Sequence, residues 1–361
     1  VAGWMIAYAF KMATGQLAGL GTSASASASG AAEQAFTALL ADPFQMLFWM
    51  VIICGIGFFI VGLGLQNGVE RVTKVMMACL FVAIVILAIN SVMLPGAHAG
   101  LEFYLMPDFG KMIENGFGDA VYAAMGQAFF TLSIGASGMA IFGSYIGRDR
   151  RLTGEAASVA GLSTLISLLA GLIIFPACFA YGVSPDSGPN LVFVTLPSVF
   201  DQMWGGQLWG TLFFIFMSFA ALSTVIGVFE NIVAFCMDQW GVSRRSAVAI
   251  NAVLIIVLSV PCILGFNVWQ GVQFPGIGDI QSLEDFIVSN NVLPLGGLVY
   301  VLFCTSRYGW GWKNFLTEAN TGAGPRFPKW AHAWIAYGIP VLMVVIFIMG
   351  YIPKFQIWLG L

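Results

Sequence analysis

Apolar residues are arranged in long continuous runs along this chain, not in the short alternations that half-buried strands show. A helix needs roughly 20 apolar residues to cross about 30 Å of hydrocarbon. Nine runs reach or approach that length, at residues 1–20, 44–65, 69–94, 119–147, 155–182, 205–240, 245–266, 286–307 and 330–352. The pattern therefore predicts an all-α integral membrane protein of about nine transmembrane helices.

Three stretches depart from this simple pattern. The run 205–240 is too long for one straight span, so part of it must tilt or extend into water. Residues 21–43 contain the small-polar tract SASASAS and predict a flexible loop. Residues 190–202 are too short and too interrupted to span, which predicts a re-entrant or surface helix.

The composition also indicates a membrane protein, because 59% of the residues are hydrophobic and only 9% are charged. Soluble domains carry about 25% charged residues. The six cysteines lie in apolar runs without metal-ligand spacing, which predicts packing roles for them. We expect the lipid bilayer as a partner, no nucleic acid, and no metal role for the two histidines.

The basic residues predict the orientation. Joining the nine runs alternately places 11 of the 14 lysines and arginines in one set of loops, which the positive-inside rule assigns to the cytoplasm. The 11 are Arg71, Lys74, Arg148, Arg150, Arg151, Arg244, Arg245, Arg307, Lys313, Arg326 and Lys329. We expect a multi-pass protein of the plasma (cell inner) membrane. Because the apolar stretch opens directly at Val1 without a signal-peptide pattern, we also expect that the chain begins inside a span.

Motifs of soluble enzymes are absent from the sequence, and the chain is predicted not to be an enzyme. Polar residues inside the spans are the functional candidates, because such residues are costly in lipid unless they face a cavity or a partner. The fourth run, GQAFFTLSIGASGMAIFGSY, places Thr131, Ser133, Gly135, Ser137 and Gly138 at mid-membrane. This pattern fits either a broken helix whose carbonyls bind a ligand or a close-packing face of small residues.

Two other runs carry hydroxyl groups. Ser223 and Thr224 follow Ala220 by one turn, and hydroxyl and carbonyl oxygens are the ligands of a hard cation. Alternatively, the two hydroxyls bond back to carbonyls of their own helix. Glu230, two turns further, must be protonated, partnered or close to cytoplasmic water. Ser163 and Ser167 share one face of the fifth run, as ordinary packing serines also do.

Four segments in the same order resemble the neurotransmitter:sodium symporter family. GQAFFTLSIG is similar to the family's sixth-helix signature, ALSTVIGVFE to its eighth-helix sodium motif, NGVERVTKVMM to the start of its fifth helix, and YIPK to the end of its eleventh. The resemblance implies an incomplete inverted-repeat (five plus five) transporter fold with a broken helix near 131–137. One transmembrane domain, 1–361, would contain a partial first repeat (1–94), the second repeat (119–307) and an extra C-terminal helix (330–352).

The resemblance also assigns ion sites. One sodium site would use the Ala220 carbonyl with the Ser223 and Thr224 hydroxyls, and the other would use Thr131 with Ser163, where relatives commonly carry Asn. A chloride site of chloride-dependent members matches Gln127, Thr131 and Ser167. No organic cofactor is implied.

The same resemblance assigns the substrate pocket and the gate. The pocket would be lined by Phe130, Thr131, Ser133, Ala136, Thr224 and Val228. Phe130 would also act as the lid, and Asp285 as the acidic half of an outer gate. Because Ala136 stands where relatives often carry a bulky residue, the pocket would admit a larger side chain. The family's first and second helices have no counterpart in the sequence, so we expect the 361 residues alone to be inactive.

The predicted function is sodium-coupled symport of a small amino acid or amine. Two alternatives remain open at this point. The first is a proton-coupled or ion-independent permease of the same architecture, and the second is a non-transporting receptor or a channel. Oligomeric state is not predicted by the sequence.

Overall fold

The structure is a computed structural model that describes residues 1–17, 28–64, 69–114, 116–182 and 189–359. Within those ranges the chain is helical and has no β-strand longer than a single bridge. The α-helices are α1 (Ala2–Ala13), α2 (Ala28–Ala41), α3 (Pro43–Gly62), α4 (Arg71–Val92), α5 (Ala97–Leu105), α6 (Phe109–Glu114), α7 (Phe117–Thr131), α8 (Gly138–Ser144), α9 (Leu152–Ala180), α10 (Leu196–Gln202), α11 (Gly206–Trp240), α12 (Arg244–Gly265), α13 (Ile280–Asp285), α14 (Leu293–Thr305), α15 (Trp312–Ala319) and α16 (Ile339–Leu359).

Shorter helical turns complete several of these helices. Residues Leu191–Thr195, Phe286–Val292 and Trp334–Gly338 are π-helical and lead directly into α10, α14 and α16. Lys329–Ala331 is a turn of 3₁₀-helix. As a result, α13, the second π segment and α14 form one helix over Ile280–Thr305.

Seven helices of the described chain are long and apolar enough to cross a bilayer. They are Pro43–Gly62, Arg71–Val92, Leu152–Ala180, Gly206–Trp240, Arg244–Gly265, Ile280–Thr305 and Lys329–Ile352. The other two expected spans appear as α1, which is 12 residues long, and as the separate helices α7 and α8.

Large apolar side chains on the outer faces of these helices support a membrane setting. On α12, for example, Val253, Leu254, Val257 and Leu258 are all exposed on one face. Helix α11 is one continuous helix of 35 residues, about 52 Å long at ~1.5 Å per residue. Because that length exceeds the roughly 30 Å of hydrocarbon, the expectation that this run tilts or extends into water agrees with its helical length.

The expected flexible loop at 21–43 is wrong over Ala28–Ala41, which form helix α2. Ala32, Phe36 and Leu39 recur at helical spacing and are buried, and this burial stabilises the helix. The SASASAS tract itself lies largely outside the described residues. Asp42 caps the next helix by accepting bonds from the backbone N–H groups of Phe44 and Gln45 at 3.0 and 3.1 Å.

The chain divides into two compact units. The first unit comprises Val1–Pro107 and Ile166–Trp269, and the second comprises Asp108–Leu165 and Gln270–Leu361. Helix α9 therefore contributes its first half to the second unit and its second half to the first.

In the first unit, α1 packs against α3 and α11, and α11 also contacts α4, α10 and α12. Aromatic rings fill this core: Trp4 and Tyr8 of α1 meet Phe36, Phe193 and Phe214 at centroid distances of 5.0–6.4 Å. Phe193 belongs to the short helix Leu191–Gln202, which was predicted as re-entrant or on the surface. The helix is short as expected, but Phe193, Leu196 and Val199 are buried, so it is not a surface helix.

Helix α5 lies directly on the second half of α9 because Gly100 has no side chain. A Cβ atom at Gly100 would lie 2.5 Å from the Phe175 carbonyl oxygen and 2.7 Å from the Pro176 Cα atom. We expect Gly100→Ala to lower the free energy of unfolding by about 1–3 kcal/mol, the usual cost of overpacking against backbone. Thermal unfolding of the purified protein measures this loss. As the control, Gly161→Ala on α9 meets nothing within 4 Å and should leave the unfolding midpoint unchanged or raised.

Candidate functional site

The fourth apolar run is a broken helix, as predicted. Helix α7 ends at Thr131 and α8 begins at Gly138. Between them Ser133, Gly135 and Ser137 take left-handed backbone angles, with φ of 49°, 90° and 59°. A left-handed φ is unusual for serine and costs about 1 kcal/mol or more at each position. Where the backbone leaves the helix, some carbonyl oxygens lose their helical N–H partners. In a membrane protein such oxygens need another partner, which a bound ligand can supply.

On α11, three oxygen atoms of the predicted first sodium site converge. The Ser223 hydroxyl donates to the Ala220 carbonyl oxygen at 2.8 Å, and the Thr224 hydroxyl donates to the same oxygen at 3.2 Å. These are the bonds within the helix that the sequence left open as the alternative. The bonds also gather a carbonyl and two hydroxyls on one side of α11, where Ser223 is half-buried and Thr224 is exposed.

Val228 lies one turn beyond Thr224 and is also exposed, whereas the opposite face of α11 is buried through Leu222, Ile226 and Phe229. The apolar packing therefore fixes the rotation of α11, and the polar turn faces away from the core of the first unit.

In the second unit, α7 carries Gln127, Phe130 and Thr131 on its last turns. The Gln127 side-chain amide donates to the Thr131 hydroxyl at 3.2 Å, so the structure brings these two predicted ligands together. Ser133 and Ala136 lie in the unwound segment that follows, and Ser163 lies on α9. Thr131 and Ser133 are exposed, and Ala136 and Ser163 are half-buried.

A cavity of about 330 Å³ joins the predicted lid to the predicted gate within the second unit. Phe130 and Gln127 line it from α7, and Asp285 lines it from the end of α13. The Asp285 carboxylate accepts a hydrogen bond from the Ser289 hydroxyl at 2.9 Å, and both residues line the cavity. An exposed carboxylate beside an aromatic ring is suited to an ammonium group.

The predicted residues divide between the two compact units. Ser167, Ala220, Ser223, Thr224 and Val228 belong to the first unit. Gln127, Phe130, Thr131, Ser133, Ala136, Ser163 and Asp285 belong to the second. Ser163 and Ser167 nevertheless lie four residues apart on the single helix α9, so they share one face.

The sequence did not identify other residues of the Asp285 cavity. Tyr122 and Asn290 line both this cavity and an adjoining one of about 410 Å³, which also includes Lys354. The Lys354 ammonium donates to the Gly276 carbonyl oxygen at 2.6 Å. The polar residue Asn290 in a span was the available signal, since polar side chains at membrane depth indicate a cavity or a partner.

Glu230, for which three alternatives were open, has a charged partner. Its carboxylate is completely buried and pairs with both terminal nitrogens of Arg244, one of them at 3.2 Å. Arg244 Nε donates to the Val61 carbonyl oxygen at 2.9 Å. The pair therefore links the end of α3 and the start of α12 to α11 in the first unit.

The family model described as the sodium:neurotransmitter symporter family matches residues 37–357. The chain belongs to this family. The symporter is 33% identical over 350 residues to the uncharacterised sodium-dependent transporter YhdH of Bacillus subtilis, covering 96% of this chain and 74% of that relative.

A solved structure and an animal relative extend the comparison. The crystal structure of MhsT in complex with L-phenylalanine is 37% identical with a TM-score of 0.81, covering 97% of the symporter chain and 76% of that chain. Sodium-dependent nutrient amino acid transporter 1 of Drosophila ananassae is 26% identical over 286 residues, covering 74% of this chain and 41% of the relative.

Several predictions are confirmed by these comparisons. The symporter is a multi-pass membrane protein with the transporter fold, and its function class is sodium-coupled symport, with sodium as the coupling ion. The family is one of transporters. Among the described residues, no group of three or more His, Cys, Asp or Glu side chains could hold a metal ion.

Proposed function

We propose that the protein imports an amino acid with a large apolar side chain, driven by sodium that binds the oxygen cluster of α11. The observation that carries this proposal is the convergence of the Ser223 and Thr224 hydroxyls on the Ala220 carbonyl, at 2.8 and 3.2 Å. Sodium is a hard cation and prefers uncharged and charged oxygen ligands, which proteins also use for calcium and magnesium. A dehydrated sodium ion at this turn would need further oxygen ligands from outside α11.

We propose a second sodium position at Thr131 and Ser163. Thr131 ends α7 immediately before the unwound segment, and Ser163 is half-buried on α9. Both offer hydroxyl oxygens. The Gln127–Thr131 hydrogen bond supports a further proposal that Gln127, Thr131 and Ser167 bind chloride, because amide and hydroxyl groups donate to an anion.

The substrate class rests on the apolar residues beside these oxygens. Phe130 is 56% exposed and Val228 is 50% exposed, while Ala136 offers only a methyl group. We propose that Phe130, Thr131, Ser133, Ala136, Thr224 and Val228 line a pocket that accepts an aromatic or branched side chain. The phenylalanine complex of MhsT and the nutrient amino acid transporter name support an amino acid as the substrate. Phe130 and Asp285 would close the pocket on its outer side.

We also propose that 1–361 forms one transport domain, with a partial first repeat at 1–94, the second repeat at 119–307 and an extra helix at 330–352. Sodium binding would steady the broken helix and raise the affinity for substrate. This contribution is a coupling free energy, commonly about 1–3 kcal/mol.

Uptake of radiolabelled phenylalanine into proteoliposomes containing the intact protein tests this proposal. An inward sodium gradient should give saturable accumulation above the external concentration, and replacement of sodium by choline should abolish it. Leucine and tryptophan should compete, whereas glycine should compete weakly. Accumulation driven equally well by a proton gradient in choline would instead identify a proton-coupled permease, and flux that only equilibrates would identify a channel.

A further inference from the structure

The unwound segment between α7 and α8 rests directly on the backbone of α14. A Cβ atom at Gly135 would meet the Leu293 carbonyl oxygen and the Gly297 nitrogen, and a Cβ atom at Gly296 would meet the Gly135 carbonyl oxygen. All of these contacts are with backbone atoms. The two segments therefore touch without an intervening side chain, and neither can accept a methyl group unless the other moves.

Hydrogen bonds of its own backbone also hold the unwound segment, in addition to its contact with α14. The Ser133 and Ile134 N–H groups donate to the Phe130 and Phe129 carbonyl oxygens at 3.0 and 3.1 Å, and the Ala140 N–H donates to the Ser137 carbonyl oxygen at 2.9 Å. Strained left-handed residues persist only where the surroundings hold them. The backbone of α14 supplies that surrounding support at Gly135, the middle residue of the segment.

Helix α14 is itself held in place by its neighbours. Pro294 occupies its first turn, after the π segment Phe286–Val292. The Tyr351 hydroxyl of α16 donates to the Asn291 side-chain oxygen at 2.6 Å, and Met343 of α16 is fully buried against Gly297. These contacts position the backbone at Gly296, so we expect a shift there to displace Gly135.

We propose that Gly296 is a positioning residue for sodium and substrate binding, because its bare backbone sets the position of residues 132–137. This inference rests on the proposed function, in which Thr131 and the unwound segment contribute ligands. A methyl group at Gly296 would push the Gly135 carbonyl away from α14 and displace the turn that follows Thr131. The binding oxygens would then lose their arrangement while the helices remain intact.

Gly296→Ala and Gly297→Ala form a matched pair that tests this inference. Both changes replace glycine by a better helix former, so helix propensity alone favours both variants equally. A Cβ atom at Gly297 would first meet the terminal methyl of Met343, a flexible group that can move, and then Ile134 Cγ2 at 3.3 Å. We expect Gly296→Ala to raise the sodium concentration for half-maximal phenylalanine binding about fivefold or more, with the number of binding sites unchanged. Gly297→Ala should bind nearly as the native protein does.

Near-native sodium dependence in a folded Gly296→Ala protein would overturn the inference, as would equal impairment of Gly297→Ala. Should Gly296→Ala not fold, amide hydrogen exchange of the native protein decides the matter. Sodium is expected to slow exchange in 132–137 and in 293–297 together, and slowing of the first segment alone would contradict the inference. Failure of the proposed function has a different signature, since the native protein itself would then bind phenylalanine equally with and without sodium, or would not bind it at all.

Discussion

Thr224→Val is expected to raise the sodium concentration that supports half-maximal uptake about tenfold or more, equivalent to about 1.4 kcal/mol or more of binding free energy. Valine has nearly the shape of threonine but lacks the hydroxyl that points to the Ala220 carbonyl oxygen. The ion would lose one of its three ligands from α11. Because Thr224 is exposed and its apolar atoms are retained, folding should be little affected. Initial rates of uptake at varied sodium concentration measure this effect in the intact protein.

Thr211→Val is the matched control on the same helix. The Thr211 side chain is half-buried, and its hydroxyl also donates to the carbonyl oxygen four residues earlier, that of Gln207, at 2.6 Å. Removal of this hydroxyl should leave the sodium dependence unchanged. Equal effects of the two substitutions, or no effect at Thr224, would show that the Thr224 hydroxyl serves only its own helix.

Arg244→Met is expected to lower the free energy of unfolding by about 3–5 kcal/mol, the usual cost of removing one partner of a buried ion pair. The Glu230 carboxylate is completely buried, so it would lose its charged partner without access to water. The Val61 carbonyl oxygen would also lose a donor. The measurement is thermal unfolding in detergent, together with the yield of folded protein.

Two further variants distinguish loss of the buried ion pair from loss of a positive charge elsewhere on the protein. Arg245→Met removes the exposed neighbouring charge and should leave the unfolding midpoint nearly unchanged. The double variant Glu230→Leu with Arg244→Met removes both charges and should recover most of the stability, because buried pairs replaced by apolar groups are often as stable as the original. A stable Arg244→Met protein, or a double variant worse than the single one, would contradict the buried-pair account.

The spans and the helix break could be predicted because both depend on local composition. Continuous apolar runs specify helices in lipid, and the crowding of Ser133, Gly135 and Ser137 weakens a helix wherever it occurs. The sequence left open a broken helix or a close-packing face of small residues, and the structure shows both. The segment leaves the helix, and Gly135 also packs closely on α14. The partner of Gly135 could not be predicted, because Gly296 is 161 residues away and sequence spacing carries no information about that contact.

Helix α2 was missed although a signal was present. Phe36 and Leu39 follow Ala32 at helical spacing, but the preceding small-polar tract dominated the interpretation of 21–43. Arg244 as the partner of Glu230 was missed for another reason. The two residues lie on different helices, and their pairing depends on the turn at Gly241, where φ is 64° and the chain reverses between α11 and α12.

Equilibrium binding of radioactive sodium to the purified intact protein tests the central claim most directly, because it requires neither substrate nor transport. The comparison is between the native protein and a variant carrying Ser223→Ala and Thr224→Val, both folded as judged by thermal unfolding. The account predicts that the variant loses one class of sodium site. Native sodium binding in that variant would contradict the claim that the oxygens on this turn of α11 hold the coupling ion.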